Sequence, residues 1–561
     1  MLELRDLSTH SQRSRTFSLL PALLIYGASL AITSPVYFGD SLYYANDVLR
    51  SRGSQGAIQG LWEFGHLLWR PLGALIAPLA LAWTPDSWAW TPLLKITFGL
   101  VLVSEICGAI LILLLYDLIR TFVAQPWLRL LLIVAFVWSN PVLGYSQTAS
   151  SYIPSLMFLA AAIWIQAKLE SNPRNICLSA VVLSAAVLSW FPTILALPSI
   201  ASLRTFLRAD GFPRRRSEWI APLQIAGLSV SIVAVVLVTG GWLAGERSGS
   251  DYISWIGGSR HDLSQNRQWL RAIGGVAHLL FEPSTSGVHL KRFLLRDPYN
   301  PVNILELIPV TLSRIGAAYV LYASVVGLGM LSKRARPLLM ALLLAAVPML
   351  FFALVLFEPS ASERFLPVLP LLFLTLSAGW YAPGRLAAML RAAAILALIS
   401  IPITNFSSFA TSASTDFRDA EARLVEFRRQ ANPQDLLVTV TFDDPLVRLI
   451  EQHPFHSANR PAPVPTYQVV AIASSDALQW KENLASRVRA EWRQNHEVWI
   501  SKSLLAERPA AYVNWVEADS PAARWRAYSA FFQSLSYDRE TGRPDGFARI
   551  ARVSGNLFGV P

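Results

Sequence analysis

The chain is short of charge and short of cysteine. Only 15% of its 561 residues are Asp, Glu, Lys or Arg, against about 25% in a soluble domain, so a water-facing globule is excluded. Its two cysteines, Cys107 and Cys177, both fall in apolar stretches. They exclude a disulfide framework and a thiolate metal site, and read as packing residues. No internal repeat and no low-complexity segment is visible. The net charge is +11, but Lys and Arg lie mostly between apolar blocks. Membrane topology accounts for them better than nucleic-acid binding does.

What is present is apolar. Hydrophobic residues make up 53% of the chain and come in blocks of roughly 17–25, enough to cross a bilayer as helices. The blocks predict a polytopic α-helical membrane protein with about eleven spans, near 17–38, 92–116, 130–147, 152–168, 175–191, 193–203, 219–244, 302–331, 337–357, 365–382 and 388–405. The first block is too long for a signal-peptide core and reads as a retained helix. A turn at Trp190-Phe191-Pro192 divides 175–203 into a hairpin, because proline ends or kinks helices. With that turn, Arg13, Arg120, Lys168, Arg214–Arg216, Lys333 and Arg385 all fall on one side, the cytoplasmic side if the N-terminus is cytoplasmic. Loops 39–91 and 246–300, the gap 358–364 and the tail 406–561 are then extracytoplasmic. Residues 1–405 form the membrane domain. The tail alternates strand-like runs (435–442, 469–474, 497–505, 547–553) with a helix-like run (414–430), which predicts a small α/β domain.

Several polar groups stand at the extracytoplasmic edge. Asp40, in "FGDSLYY", follows the first span, with Asp47 beyond it. A carboxylate there can act as a general base toward a hydroxyl or hold a divalent cation; it fits a helix cap equally. Glu63, His66 and Arg70 in "LWEFGHLLWRPLG" recur at helical spacing, which predicts an interfacial helix. Its His and Arg could grip a phosphate, or its charges could snorkel to water. His261, Arg267, Trp269, Arg271 and His278 fit a second surface helix and form a candidate substrate loop. Its histidines are too scattered to assign a metal. In "LFEPSASERFLPVLPLL", Glu358, Glu363 and Arg364 sit between two apolar runs. Neighbours on an α-helix point about 100° apart, so Glu363 and Arg364 each need another partner. An anionic phosphate suits Arg364, as does pairing with Glu358.

Four of these pieces resemble the GT-C superfamily of membrane glycosyltransferases, which includes protein O-mannosyltransferases and lipid A aminoarabinose transferases. They are the acid after the first span ("FGD", Asp40), the segment "GHLLWRPLG", the stretch "SNPVLGYSQTASSYIPSLMFLAAAIW", and "ERFLPVLPLL", which looks like a Glu-Arg-Tyr-x-x-Pro signature. The likeness covers roughly 17–405 and omits the tail. It departs from the pattern in two places: Ser41 follows Asp40 where many relatives have a second acid, and Phe365 replaces the tyrosine.

The resemblance implies transfer of a sugar from a polyprenyl-phosphate donor to an extracytoplasmic hydroxyl of a glycan, lipid or protein. Asp40 is then the catalytic base. Arg364 is the donor-phosphate ligand, Glu363 orients it, and His66 and Arg70 are secondary phosphate contacts. No resident metal is implied beyond a divalent cation at Asp40. The Ala- and Arg-rich usage points to a bacterial inner membrane. A transporter or flippase, a lipid-linked glycan polymerase or ligase acting through Arg267 and Arg271, and a non-catalytic assembly protein remain open.

Overall fold

A computed structural model describes residues 19–33, 40–52, 55–83, 92–208, 216–258, 268–282, 301–355 and 361–412, then 429–432, 434–439, 455–457, 460–462, 466–468, 480–508, 521–540 and 546–554, with 293, 423, 426, 427 and 542 singly. Two compact units emerge. One comprises Met1–Val36, Asp47–Gly287 and Pro309–Ala413; the other comprises Tyr37–Asn46, Val288–Ile308 and Ser414–Pro561.

The first unit is helical. In chain order its helices are α1 (Leu20–Ala31), α2 (Asp40–Ser51, whose first residues belong to the second unit), α3 (Trp69–Trp83), α4 (Pro92–Phe122), α5 (Pro126–Val137), α6 (Asn140–Ser146), α7 (Tyr152–Lys168), α8 (Pro173–Ser189), α9 (Leu197–Arg208), α10 (Ile220–Ala244), α11 (Gly249–Gly258), α12 (Gln268–Ala277), α13 (Ser313–Leu331), α14 (Arg336–Val355), α15 (Leu369–Gly379) and α16 (Arg385–Ser412). Pro21, Pro126, Pro141, Pro173 and Pro370 sit in first turns. A missing N–H costs nothing there.

Among the described residues, five helical stretches are long and apolar enough to cross a membrane: Lys95–Phe122, Arg216–Ala244, Ile304–Leu331, Arg336–Val355 and Arg385–Phe406. The pair α5–α6, bent by 63°, makes a sixth if counted as one span. The protein is thus a multi-pass membrane protein, but the count of about eleven is not established. Helices α1, α7 and α8 are apolar and shorter. The expected spans 193–203 and 365–382 each begin as 3-10 turns, Phe191–Ala196 and Ser362–Val368. Hydropathy measures greasiness, whereas prolines decide where an apolar run stays one helix. The expected turn at Trp190-Phe191-Pro192 is present. Trp190 is extended (φ −148°, ψ 106°), and the Phe191 N–H leaves the helix to bond the Gly65 carbonyl at 3.0 Å.

Inside the bundle α7 packs on α8 and α4, and α13 on α16. Phe136 and Phe373, both fully buried, meet edge to face at 5.3 Å. Cys107 is half-buried and Cys177 exposed; both are free thiols.

The second unit carries the tail. Strands β1 (Leu436–Thr439), β4 (Thr466–Gln468), β5 (Val498–Ser501), β6 (Tyr537–Glu540) and β7 (Phe547–Ile550) form one sheet in the order β4-β1-β5-β7-β6. Strand β1 is parallel to both β4 and β5, while β7 runs antiparallel to β5 and β6. A hairpin of β2 (Phe455–Ser457) and β3 (Arg460–Ala462) stands apart from it. Leu436, Val438, Val498 and Ile500 pack on Leu484 and Val488 of α17 (Trp480–Arg493) and on Trp525 and Phe532 of α18 (Pro521–Gln533). This is an α/β arrangement. The expected strand at 469–474 lies outside the described residues. The expected helix over 414–430 is described only at 423, 426–427 and 429–430, all helical.

Candidate functional site

The segment Ser362–Val368 is a 3-10 helix, held in that tighter form by Pro367 inside it and Pro370 just after. It buries Arg364 to 8% exposure. Glu363 Oε2 accepts a 2.6 Å hydrogen bond from the Tyr145 hydroxyl. The contact between Arg364 Nη2 and Glu363 Oε1 is long, 3.6 Å, as expected of adjacent residues diverging on a tight helix. Tyr145 is therefore the close partner of Glu363. Glu358 lies outside the described residues, so its pairing with Arg364 is not described.

Helix α6, the second half of the bent pair, positions this turn. Asn140 Nδ2 donates to Ser362 Oγ at 3.2 Å and to the His278 carbonyl at 2.9 Å. Asn405 of α16, fully buried, donates to the Trp138 and Leu280 carbonyls, both at 2.7 Å, and accepts from the Glu282 N–H at 3.0 Å. The two asparagines tie the α5–α6 bend, segment 278–282 and α16 into one frame. The fully buried Asn405 amide, bonded at both its nitrogen and its oxygen, fixes geometry, since any displacement strands a polar group.

His66 and Arg70 reach the site differently from the expected single helix. Residues 62–68 are irregular and the helix begins only at Trp69. Gly65, at φ +103°, makes the break, because that left-handed conformation cannot continue a helix. The turn nevertheless brings Glu63 to Arg70. Arg70, 3% exposed, bonds Asp47 Oδ2 at 2.8 Å, Glu63 Oε2 at 2.5 Å and the Gly60 carbonyl at 2.8 Å. This engages its fork with two carboxylates and places it as a strut between α2, the loop and α3. Burial pushes the Asp47 carboxyl up, while Arg70, then Arg50, pull it down.

His66 Nδ1 lies 2.7 Å from Ser151 Oγ and 3.2 Å from the Ser189 carbonyl. A carbonyl only accepts, so Nδ1 carries the proton and Nε2 is an acceptor. Burial pushes this imidazole down to about 3; the Ser189 carbonyl opposes that, and the Arg70 and Arg364 cations add to it. A neutral His66 would meet a phosphate through a ring N–H and not through a positive charge. Its ring stands edge to face with Tyr152 at 6.3 Å, and Tyr152 meets Tyr145 at 4.6 Å. His66, Tyr152, Tyr145 and Glu363 thus form one continuous wall.

Asp40 is the first residue of α2 and belongs to the second unit; the other named residues belong to the first. Arg271 lies on α12, exposed, in the expected second surface helix. His261 and Arg267 lie outside the described residues. Among the described residues no three His, Cys, Asp or Glu side chains converge on a metal-sized site. Tyr145, Asn140 and Asn405 were not picked out by sequence reasoning. Tyr145 sits inside the "SNPVLGYSQ" stretch, and only its contact with Glu363 distinguishes it from an interfacial aromatic.

No protein-family model matches the chain, and no curated protein matches it. Solved structures do. The oligosaccharyltransferase of Archaeoglobus fulgidus in its apo form is 13% identical, with a TM-score of 0.49 over 92% of this chain and 73% of that one. The archaeal oligosaccharyltransferase AglB from Archaeoglobus fulgidus, in complex with an inhibitory peptide and a dolichol-phosphate, is 14% identical, with a TM-score of 0.44 over 91% and 72%.

Proposed function

We propose that the protein is a GT-C-type membrane glycosyltransferase that moves a sugar from a polyprenyl-phosphate donor to an extracytoplasmic hydroxyl. The observation that carries this reading is Arg364: a guanidinium almost out of water, in a proline-bound turn between apolar segments, beside a carboxylate fixed by Tyr145. Charges in such a place are costly and serve a substrate or one another. In the proposed reaction the acceptor oxygen bonds the anomeric carbon as the bond from that carbon to the phosphate oxygen breaks. Asp40 takes the hydroxyl proton, and the electron pair leaves with the polyprenyl phosphate. Arg364 stabilises the charge developing on that phosphate. Glu363, tethered by Tyr145, limits the positions open to Arg364, and Arg70 holds the loop that carries His66. Base and charge stabilisation come from these two residues, and a divalent cation held at Asp40 would add charge stabilisation.

In this reading the protein sits in a bacterial inner membrane with its N-terminus cytoplasmic and its tail outside. Its partners are the lipid-linked donor, the acceptor and bilayer lipid.

The test is turnover of radiolabelled polyprenyl-phosphate sugars by the purified protein, with a panel of hydroxyl acceptors. Arg364→Ala lowers kcat about 10²–10³-fold, the usual effect of removing one charge-stabilising donor, and Asp40→Asn abolishes transfer. Undiminished transfer by Asp40→Asn removes Asp40 as the base. No turnover of any donor with any acceptor rejects the enzyme reading.

A further inference from the structure

Helix α10 carries the edge of the bilayer on its own surface. It belongs to the apolar stretch Arg216–Ala244. Trp219 and Trp242 stand about 35 Å apart along that stretch, against a hydrocarbon core of about 30 Å. Tryptophans at the two ends of a span sit at headgroup level. Val235, Val238 and Trp242 share one side of α10 and are 66%, 59% and 57% exposed; on a span, such an open apolar side faces lipid. Just beyond, the helix ends at Gly245, whose φ is +104°, and the Arg247 guanidinium lies over the Trp242 ring at 5.0 Å. The chain has reached the polar edge and turns there.

Helix α11 follows at that level and leans back on the end of α10. The Tyr252 hydroxyl donates to the Val238 carbonyl at 2.7 Å, and its ring fills the space where a Cβ on Gly241 would stand. Trp255 turns instead to the loop before α3. Its Nε1 donates to the Trp62 carbonyl at 3.0 Å, and its ring meets Phe64 edge to face at 5.7 Å. At 100° per residue these contacts give α11 three sides. Tyr252 and Trp255 form the packed side. Ile256 and Ile253 come next, beside Tyr252; Ile253 is 74% exposed and Ile256 is exposed as well. Ser250, Ser254 and Asp251 complete the circle, and both serines are exposed. The isoleucine side adjoins the residue that lies across Val238, so it continues the outward side of α10.

We propose that α11 is an in-plane membrane helix: its Ile253–Ile256 side rests on the acyl chains of the bilayer, and its serine side faces water. A helix with separate apolar and polar sides, at the level of an interfacial tryptophan, lies in the interface. Two isoleucines are too small an area for a stable protein interface, whereas they extend a lipid-facing surface that α10 already provides. Through Trp255 the helix ties Trp62 and Phe64, and with them the loop that carries His66, to the plane of the bilayer. The placement depends neither on the sugar-transfer reading nor on which face of the membrane is cytoplasmic, so either can fail without the other.

The test uses nitroxide labels on Ile253→Cys, Ile256→Cys and Ser254→Cys, each in the full-length chain with Cys107 and Cys177 replaced by alanine, in phosphatidylcholine vesicles. Power-saturation electron paramagnetic resonance compares collisions with oxygen, which concentrates among acyl chains, and with a nickel chelate, which stays in water. The oxygen-to-chelate ratio is expected to be severalfold higher at positions 253 and 256 than at 254. A ratio at either isoleucine position no higher than at Ser254 puts that side in water and overturns the proposal. A ratio equally high at all three immerses the helix and overturns it too. Benzoylphenylalanine in place of Ile253, in the chain with its own cysteines, reads the same contact should the alanine replacements not fold. A crosslink to phosphatidylcholine is expected; its absence would again overturn the proposal.

Discussion

Two guanidiniums, Arg70 and Arg364, are held almost out of water at 3% and 8% exposure, and their surroundings separate their roles. Arg70 sits between Asp47 and Glu63 at ordinary ion-pair distances. Removing it leaves two carboxylates facing each other with little water. Arg70→Ala is expected to cost about 3–5 kcal/mol, read as a lowered denaturation midpoint in detergent. Arg70→Lys keeps the charge but loses the fork and falls between. His66 makes a pH prediction. In the folded chain it stays neutral down to about 3, whereas an unfolded histidine takes a proton near 6.5. The unfolded state therefore binds more protons between those values, and stability falls as pH drops through that window. Midpoints measured from pH 7.5 to 4.5 should decline, and His66→Gln should flatten that decline. An unchanged slope would show that other groups dominate.

At the scale of elements, close helix contacts depend on side chains too small to predict from hydropathy. Gly108 admits the Tyr26 hydroxyl directly against its Cα. Gly108→Ala is expected to lower the midpoint of unfolding through overpacking, by about 1–3 kcal/mol. Tyr26→Phe, which deletes the clashing oxygen, should restore part of that loss in the double variant. Simple additivity of the two changes would remove the contact from the explanation. The proline-bound turn at Ser362–Val368 and the break at Gly65 are of the same kind. In each, one residue's backbone restriction decides which polar groups meet, and the apolar residues on either side fill the space.

At the scale of the whole molecule, the proposed orientation rests on the basic residues. With Lys333 and its neighbours on the cytoplasmic face and Ser250 on the other, Ser250→Cys in an otherwise cysteine-free chain should label with a membrane-impermeant maleimide in intact cells. Lys333→Cys, also exposed, should label only after permeabilisation. The reverse pattern would invert the proposed topology and carry Arg364 to the cytoplasmic side, which excludes an extracytoplasmic acceptor.

Composition by itself determined that the chain lives in a membrane. Burying so many long apolar blocks in water is impossible, and their spacing is set by bilayer thickness. The turn at Trp190-Phe191-Pro192 and the α/β pattern of the tail were legible for local reasons: a ring without an N–H in one case, alternating strand and helix periods in the other. Arg364 stood out because charge between apolar runs is expensive. Tertiary structure alone decided who meets whom. That Tyr145 holds Glu363, that Asp47 comes back to Arg70, and that Ser189 fixes the tautomer of His66 all depend on contacts between residues 23 to 218 apart in the chain. No local propensity encodes such pairings. Helix continuity was also misjudged from sequence around Gly65 and Pro367, because hydropathy reports what a segment can be buried in, while backbone restriction at those two residues decides where a helix begins and ends.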